Sequence, residues 1–142
     1  MVRESETCFD VSRAECLHHV EINVSNLERS RQFWDWLLSE LGYSRYQEWS
    51  GGVSWKLGST YLVFVQTSPM HIDPPYHRCR TGLNHLAFYA RSREHVDALT
   101  AALEARAIQV LYRDRHPYAG GSDHYAVFFE DPDRIKVEIV AP

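Results

Sequence analysis

The 142-residue sequence predicts an α+β fold made of two copies of one strand–helix–strand–strand–strand unit, written βαβββ. An alternating strand with one polar face occurs at residues 18–24 and again at residues 84–90, and an amphipathic helix pattern follows each of them. Short strand-like runs then complete each copy, and His85 lies 66 residues after His19 at the matching place. One copy alone would leave a sheet face bare, so the two are expected to pack together.

The first copy begins with a strand whose side chains alternate between two faces. Its apolar face comprises Val20, Ile22 and Val24, and its polar face comprises His19, Glu21 and Asn23. Asn26 is a suitable N-cap for the helix that follows, and Gly42 is a suitable C-terminal stop. The buried stripe of that helix is expected to comprise Phe33, Leu37, Leu38 and Leu41. Strands are expected near residues 43–49, 53–57 and 61–66, with turns at the glycines between them.

The second copy repeats the order after a proline-rich linker at residues 67–82. Its first strand carries Leu86, Phe88 and Ala90 on one face and His85, Ala87 and Tyr89 on the other. Ser92 is expected to cap a helix whose stripe comprises Val96, Leu99 and Leu103. Strands are expected at residues 108–112, 125–129 and 135–140, with a polar loop at 113–123. We therefore divide the chain into a tail (1–15) and one domain (16–142), with modules at 16–67 and 82–141.

The composition excludes several classes of function. The net charge is −4 and there is no run of Lys or Arg, which argues against nucleic acid as a partner. No apolar run is long enough to cross a bilayer, and the first residues lack the apolar segment of a secretory signal. The three cysteines, Cys8, Cys16 and Cys79, form no CxxC pair and suggest free thiols in a reducing cytoplasm.

Three polar-face residues suggest a divalent-metal site. His19 and His85 occupy equivalent positions on polar strand faces, whereas His18 falls with the apolar side or at the strand edge. In the last strand Ile135, Val137 and Ile139 share the apolar face, so Lys136 and Glu138 point the other way. Imidazole and carboxylate suit Fe, Mn, Zn, Ni or Co, and a set of three such ligands leaves open positions for substrate.

Three motifs carry a family resemblance. They are HVEINVSNLERS followed by FW and LG in the first module, GLNHLAF at the start of the second, and FEDPDRIKVE at its end. These motifs resemble the vicinal oxygen chelate superfamily, which includes glyoxalase I, bleomycin-resistance proteins, fosfomycin-resistance enzymes and extradiol dioxygenases. The resemblance covers nearly the whole chain from about residue 16. It implies that the two modules form an open mixed β-barrel around a metal, with His19, His85 and Glu138 at the family's ligand positions.

The resemblance has two departures. Glyoxalases usually supply a fourth ligand from the last strand of the first module, and the matching residue here is Phe64, which cannot ligate; Gln66 shares its face. The usual glycine of the DPDG turn is replaced by Arg134, which would carry strain if that position requires positive φ. The pattern therefore moves away from glyoxalase I proper and leaves dioxygenase, lyase or isomerase, and thiol transferase open.

Further residues are candidates for binding or proton transfer. His124 and Tyr125 precede the acidic turn and could give or take a proton beside the metal, or could merely pack at a strand edge. Glu21 could be a general base or a cavity-lining residue. The candidates for substrate contact comprise Asn23, Phe64, Arg115 and Tyr118, the last two in a loop that could equally be solvated. Trp34 and Trp36 face different ways on one helix, so at least one is expected at a module or subunit interface.

Two functions follow from these observations. The first is a divalent-metal-dependent enzyme acting on a small oxygen-rich molecule through metal chelation, expected to be a cytoplasmic homodimer. The alternative is a protein of the bleomycin-resistance type that sequesters a ligand without catalysis. The aromatic content of 13% favours the alternative, because aromatic cavities bind planar ligands, whereas the complete set of three metal ligands favours the enzyme.

Overall fold

The computed structural model describes residues 17–142, so the tail expected at residues 1–15 lies outside the described residues. The first module has the predicted βαβββ order. Its elements are β1 (His19–Val24), α1 (Leu27–Glu40), β2 (Ser44–Trp49), β3 (Gly52–Leu57) and β4 (Thr60–Gln66). They form a four-stranded sheet in the order β1-β4-β3-β2, in which β1 pairs parallel to β4 and the other pairs are antiparallel.

The second module forms a three-stranded sheet with the equivalent pairing. Its elements are β5 (His85–Tyr89), α2 (Arg93–Ala105), β6 (Ala126–Glu130) and β7 (Lys136–Val140). The order is β5-β7-β6, with β5 parallel to β7 and β6 antiparallel to it. The fold is therefore α+β with two small mixed sheets and two helices. A single 3₁₀ turn at Pro69–His71 interrupts the linker between the modules.

The prediction of a strand at residues 108–112 is wrong, because the structure has no strand there. Ala107 (φ 57°) and Tyr112 (φ 55°) bracket the segment in the left-handed region, which interrupts an extended ladder at both ends. Val110 is still buried, and the Leu111 N–H donates to the Phe128 carbonyl at 2.8 Å. The apolar residues that suggested a strand therefore do pack beside β6, but the second module has one strand fewer than predicted.

The helix boundaries follow the capping residues seen in the sequence. The Asn26 side chain accepts a hydrogen bond from the Arg29 N–H at 3.0 Å, and the Ser92 hydroxyl accepts one from the His95 N–H at 3.2 Å. Gly42 follows the end of α1 with φ +90°, a backbone conformation that residues other than glycine rarely adopt.

One hydrophobic core is shared by the two modules, and Trp34 lies at its centre. The indole is completely buried, and its ring centroid lies 4.7 Å from that of Phe64 in the first module and 6.2 Å from that of Phe88 in the second. Trp36, two residues along the helix, is half-buried beneath the guanidinium of Arg106. Trp34 is therefore the tryptophan at the module interface, and the expected stripe of α1 omitted its central residue.

A buried carboxylate fastens this core to the turn between β6 and β7. The Trp34 indole N–H donates to Asp131 Oδ2 at 3.1 Å, while the backbone N–H groups of Asp133 and Ile135 both donate to Oδ1 at 2.8 Å. Burial raises the pKa of Asp131 to about 6, and the hydrogen bonds oppose that rise. Arg134, at the usual glycine position, has φ 66°, which confirms that this turn requires a left-handed residue.

The other aspartate of the turn binds the start of α1. Asp133 accepts hydrogen bonds from the Ser25 N–H at 2.9 Å, from the Ser25 hydroxyl and from the Arg29 guanidinium at 3.1 Å. Both acids of the DPD sequence thus join the second module to the first. In residues 17–142 no helix is long and apolar enough to cross a membrane.

Replacing Trp34 by Phe should lower the free energy of unfolding by about 2–4 kcal/mol, because it leaves space in the core and removes the donor from a buried carboxylate oxygen. Urea denaturation followed by circular dichroism measures the change. Trp36→Phe is the matched control: it removes an indole from a half-buried site and should cost about 1 kcal/mol or less. Equal losses in the two variants would show that the buried indole has no special role.

Asp131 should make stability fall as the pH rises. Its pKa is about 6 in the folded protein against 3.8 for an unperturbed aspartate, so the folded state holds the proton more tightly between these values. The stability of the wild type relative to Asp131→Asn should therefore decrease by on the order of 3 kcal/mol between pH 4 and pH 7. Urea denaturation of both proteins across this range tests it, and parallel pH curves would contradict it.

Candidate functional site

The polar face of each sheet lies on the opposite side from the shared core. On β1, Ile22 and Val24 are buried while His19, Glu21 and Asn23 are exposed, as the alternation predicted. On β7 the buried Val137 and Ile139 face the core, and Glu138 points to the other face. The Glu138 side chain is nevertheless only 7% exposed, because its own face is covered by neighbouring side chains.

Two histidines contact the Glu138 carboxylate, one on each oxygen. His85 Nε2 lies 3.1 Å from Oε2, and His124 Nε2 is hydrogen-bonded to Oε1. The strand β5 brings His85 to β7, since the two strands pair in parallel. His124 comes from the loop just before β6. The sequence-predicted pair of His85 and Glu138 is therefore brought together, with His124 as a third member.

The spacing of His85 and Glu138 is compatible with a cation between them. His85 Nδ1 lies 2.7 Å from Asn84 Oδ1, and a ring proton on Nδ1 would donate to that oxygen and leave the Nε2 lone pair free for a cation. Nε2 faces the Glu138 carboxylate oxygen Oε2. Two ligands bonded to one ion at about 2.1 Å lie about 3.0–3.4 Å apart, so the observed 3.1 Å separation fits such an ion. The donor set also suits a divalent metal.

His19 lies apart from this pair in the single chain. Its Nδ1 lies 2.8 Å from Nδ1 of His18, and its ring stacks on Tyr61 with 4.8 Å between centroids. It forms no hydrogen bond with His85 or Glu138, which belong to the other sheet. Across residues 17–142, no group of three or more His, Cys, Asp or Glu side chains is arranged to hold a metal ion.

A lysine and two aromatic rings flank Glu138 on the same face. Lys136, two residues earlier on β7, places its ammonium 5.6 Å from the ring centre of Tyr112 and 5.9 Å from that of Phe128. Its Nζ lies 3.4 Å from the Tyr112 hydroxyl, and it makes no salt bridge with a carboxylate of the described residues. An ammonium group and two aromatic rings therefore lie next to the His85–Glu138 pair.

Tyr125 does not lie beside Glu138, so the role of proton donor or acceptor suggested for it is corrected. Alternation along β6 sends Ala126 and Phe128 to the Glu138 face and the preceding tyrosine to the other side. There its hydroxyl donates to Asp97 of α2 at 2.6 Å. This hydrogen bond raises the pKa of Tyr125 to about 12. His124 alone of the two reaches the carboxylate.

Phe64 is also misassigned as a substrate contact. It is completely buried in the core, where its ring packs against Trp34 and Trp55. The residue of β4 opposite His19 is Tyr61, and the one opposite Glu21 is Val63, so these lie on the polar face instead. Glu21 and Asn23 are exposed on that face.

The loop at residues 113–123 separates its two candidate residues. The Arg115 guanidinium lies 5.2 Å above the ring of Tyr112, the same ring that contacts Lys136, so it lies on the side of Glu138. Tyr118 packs edge-on against Tyr125, 5.5 Å away on the α2 side. Of the two, Arg115 is the better placed to meet a ligand at Glu138.

Sequence reasoning missed Asn84 and Tyr112. Asn84 immediately precedes the strand histidine, and its amide was a signal that could have been used, because metal-ligating histidines usually donate their second N–H to an oxygen. Tyr112 carried no signal, because its position depends on the left-handed turn that replaces the expected strand.

Two cavities lie elsewhere on the molecule. One of about 270 Å³ is lined by residues that include Phe33 and Pro132, and one of about 420 Å³ by residues that include Glu104 and Arg113. Neither is lined by His85, His124 or Glu138. The donor atoms of His85 and Glu138 converge, whereas neither cavity is lined by a histidine paired with a carboxylate.

Known proteins resemble this chain over most of its length. Residues 16–139 match the family model described as the Glyoxalase/Bleomycin resistance protein/Dioxygenase superfamily. The uncharacterized protein YqjT of Bacillus subtilis is 62% identical over 126 residues, which cover 89% of this chain and 98% of that protein. A crystal structure of a glyoxalase candidate from Bacillus halodurans has 64% identity and a TM-score of 0.91, covering 94% of this chain and all of that one. Lactoylglutathione lyase of Agrobacterium tumefaciens shares the fold, with 21% identity and a TM-score of 0.63 over 89% of this chain and 93% of that one.

Proposed function

Because the chain belongs to the Glyoxalase/Bleomycin resistance protein/Dioxygenase superfamily, we propose that it is a divalent-metal-dependent enzyme acting on a small, oxygen-rich molecule. The observation that carries the proposal is the His85–Glu138 pair, in which an imidazole nitrogen and a carboxylate oxygen, both good metal ligands, face each other 3.1 Å apart. A resident Fe, Mn, Zn, Ni or Co ion would satisfy both groups.

We assign the metal ligands to His85 and Glu138 of one chain and His19 of a second copy. Within one chain His19 lies on the exposed face of the other sheet, so a second molecule is needed to bring it to the pair. In such a homodimer the polar face of one chain's first sheet would cover that of its partner's second sheet, giving the open mixed barrel that the family resemblance implies. We also propose that residues 16–142 form a single domain and that the protein is cytoplasmic.

The residues around the pair indicate the chemistry of the substrate. A bound metal would act as a Lewis acid on neighbouring oxygens of the substrate. Lys136 has no carboxylate partner among residues 17–142, so its charge favours a substrate with anionic oxygens. Phe128 and Tyr112 hold that ammonium in place and provide an apolar wall that limits water near Glu138. Both a dioxygenase and a lyase or isomerase can use this arrangement.

If the ligands come from two chains, complementary variants should restore a site. A heterodimer of His19→Ala with His85→Ala contains one intact set of ligands and one set that lacks both histidines. Purified through two different affinity tags, it should bind about half of the wild-type amount of Co²⁺ or Zn²⁺, measured by elemental analysis. Each homodimeric variant should bind little.

The matched control pairs a wild-type chain with a chain carrying both His19→Ala and His85→Ala. It has the same two substitutions, but no set of ligands is complete, so metal should be nearly absent. Half occupancy in this control and none in the first heterodimer would show that the site lies within one chain. If the wild-type protein binds no divalent ion, the proposed function is wrong.

A ligand-binding protein without catalysis is the second candidate, and the exposed aromatic residues of the first sheet favour it. The Trp49 indole lies so close over Gly52 on the polar face that a Cβ atom on residue 52 would overlap it. The ring centres of Tyr46 and Tyr61 lie 5.3 Å apart. Such a surface can stack on a planar ligand.

This candidate predicts metal-independent binding. Metal-free bleomycin added to the chelator-treated protein should change its tryptophan fluorescence, and Trp49→Phe should reduce that change. Trp36→Phe, on the helix side, serves as the control. If bleomycin does not bind the chelator-treated protein, while the untreated protein binds divalent metal, the enzyme is favoured.

A further inference from the structure

We propose that His124, packed against Gly120, is a positioning residue that orients the Glu138 carboxylate for metal binding. The inference rests on the proposed function, because it assigns to Glu138 the role of a ligand. It gives His124 a role different from proton transfer to substrate, since its Nε2 is engaged by the carboxylate. Metal-ligating carboxylates are commonly held by such outer partners.

The two oxygens of Glu138 have different partners. His124 bonds Oε1, and Oε2 faces His85, so only Oε2 is directed at the position where a shared cation would lie. The terminal torsion of a glutamate is broad and selects no orientation by itself. The His124 hydrogen bond therefore fixes which oxygen is presented, and it does so for a side chain that is 7% exposed and cannot rely on water.

The loop before β6 holds the His124 ring by packing. The His124 N–H donates to the Gly121 carbonyl at 3.1 Å, which closes a turn, and Gly121 has φ +136°. A Cβ atom at Gly120 would overlap Cδ2 of the imidazole and lie 3.1 Å from its Cγ. Gly120 has no left-handed φ, so the requirement for glycine here is space for the ring and not backbone conformation.

Gly120 thus offers a way to move the ring without changing His124. An alanine at this position should push the imidazole off the carboxylate, because a rotation of this partly exposed side chain relieves the overlap more easily than a backbone shift. The effect of displacing the imidazole (Gly120→Ala) can then be compared with the effect of removing it (His124→Ala) in the same measurement. Gly51 provides a control, since a Cβ there meets only ordinary contacts with Trp49 at 3.5 Å or more.

The experiment measures Co²⁺ affinity of the full-length protein by competition with a chromophoric chelator, together with the visible spectrum of the bound Co²⁺. His124→Ala should weaken binding about 10–100-fold without changing the shape of the spectrum, as expected for an outer partner. His124→Gln should recover most of the affinity, because the glutamine amide N–H₂ can donate from nearly the same place.

Gly120→Ala should weaken binding as His124→Ala does, and the double variant should be no weaker than the His124 variant alone, because both changes remove one interaction. Gly51→Ala should bind like the wild type. Unchanged affinity in His124→Ala would overturn the inference. A changed Co²⁺ spectrum with no recovery in His124→Gln would also overturn it, since that result marks His124 as a direct ligand. Failure of the wild type to bind Co²⁺ would instead reject the proposed function on which the inference rests.

Discussion

The hydrogen bond from the Trp34 indole to the Asp131 carboxylate joins the two modules at the centre of their common core. A buried carboxylate is costly unless donors surround it, and here the donors come from both sides of the module boundary: the indole from α1 and two backbone N–H groups from the turn itself. Separating the modules would expose the indole and leave the carboxylate without one donor. Folding of either module is therefore tied to the presence of the other.

The same turn sets the start of β7 and so reaches the candidate metal site. Asp131 Oδ1 binds the N–H of Ile135, the residue immediately before the strand that carries Glu138. Asp133 holds the first turn of α1 through Ser25 and Arg29. The acidic motif near the end of the chain consequently has a structural role that is distinct from the ligand a few residues later. Its left-handed Arg134 is tolerated because these hydrogen bonds determine the backbone around it.

Alternation was the most reliable guide in the sequence, because the period of two is a property of the strand itself. It placed His19, His85 and Glu138 correctly on polar faces and it should equally have placed Tyr125 on the helix side. Phe64 was misassigned because its partner on β1 is Ile22 and not His19. The register between two distant strands cannot be read from the sequence of either strand alone. The segment 108–112 has strand-like residues, but the left-handed residues that bracket it, Ala107 and Tyr112, are of types that give no turn signal. The association of His124 with Glu138 depends on how a loop folds against a sheet, and no local pattern reports that.

The separation of His19 from the His85–Glu138 pair has a thermodynamic consequence. An ion held by two chains in the proposed assembly binds the dimer and not the free chain, so each equilibrium shifts the other. Metal would strengthen association, and dilution would weaken metal retention, without any change in the coordinating groups. The apparent metal affinity of such a protein is then a property of its concentration as much as of its side chains, and the amount of protein present would set how much of it is loaded.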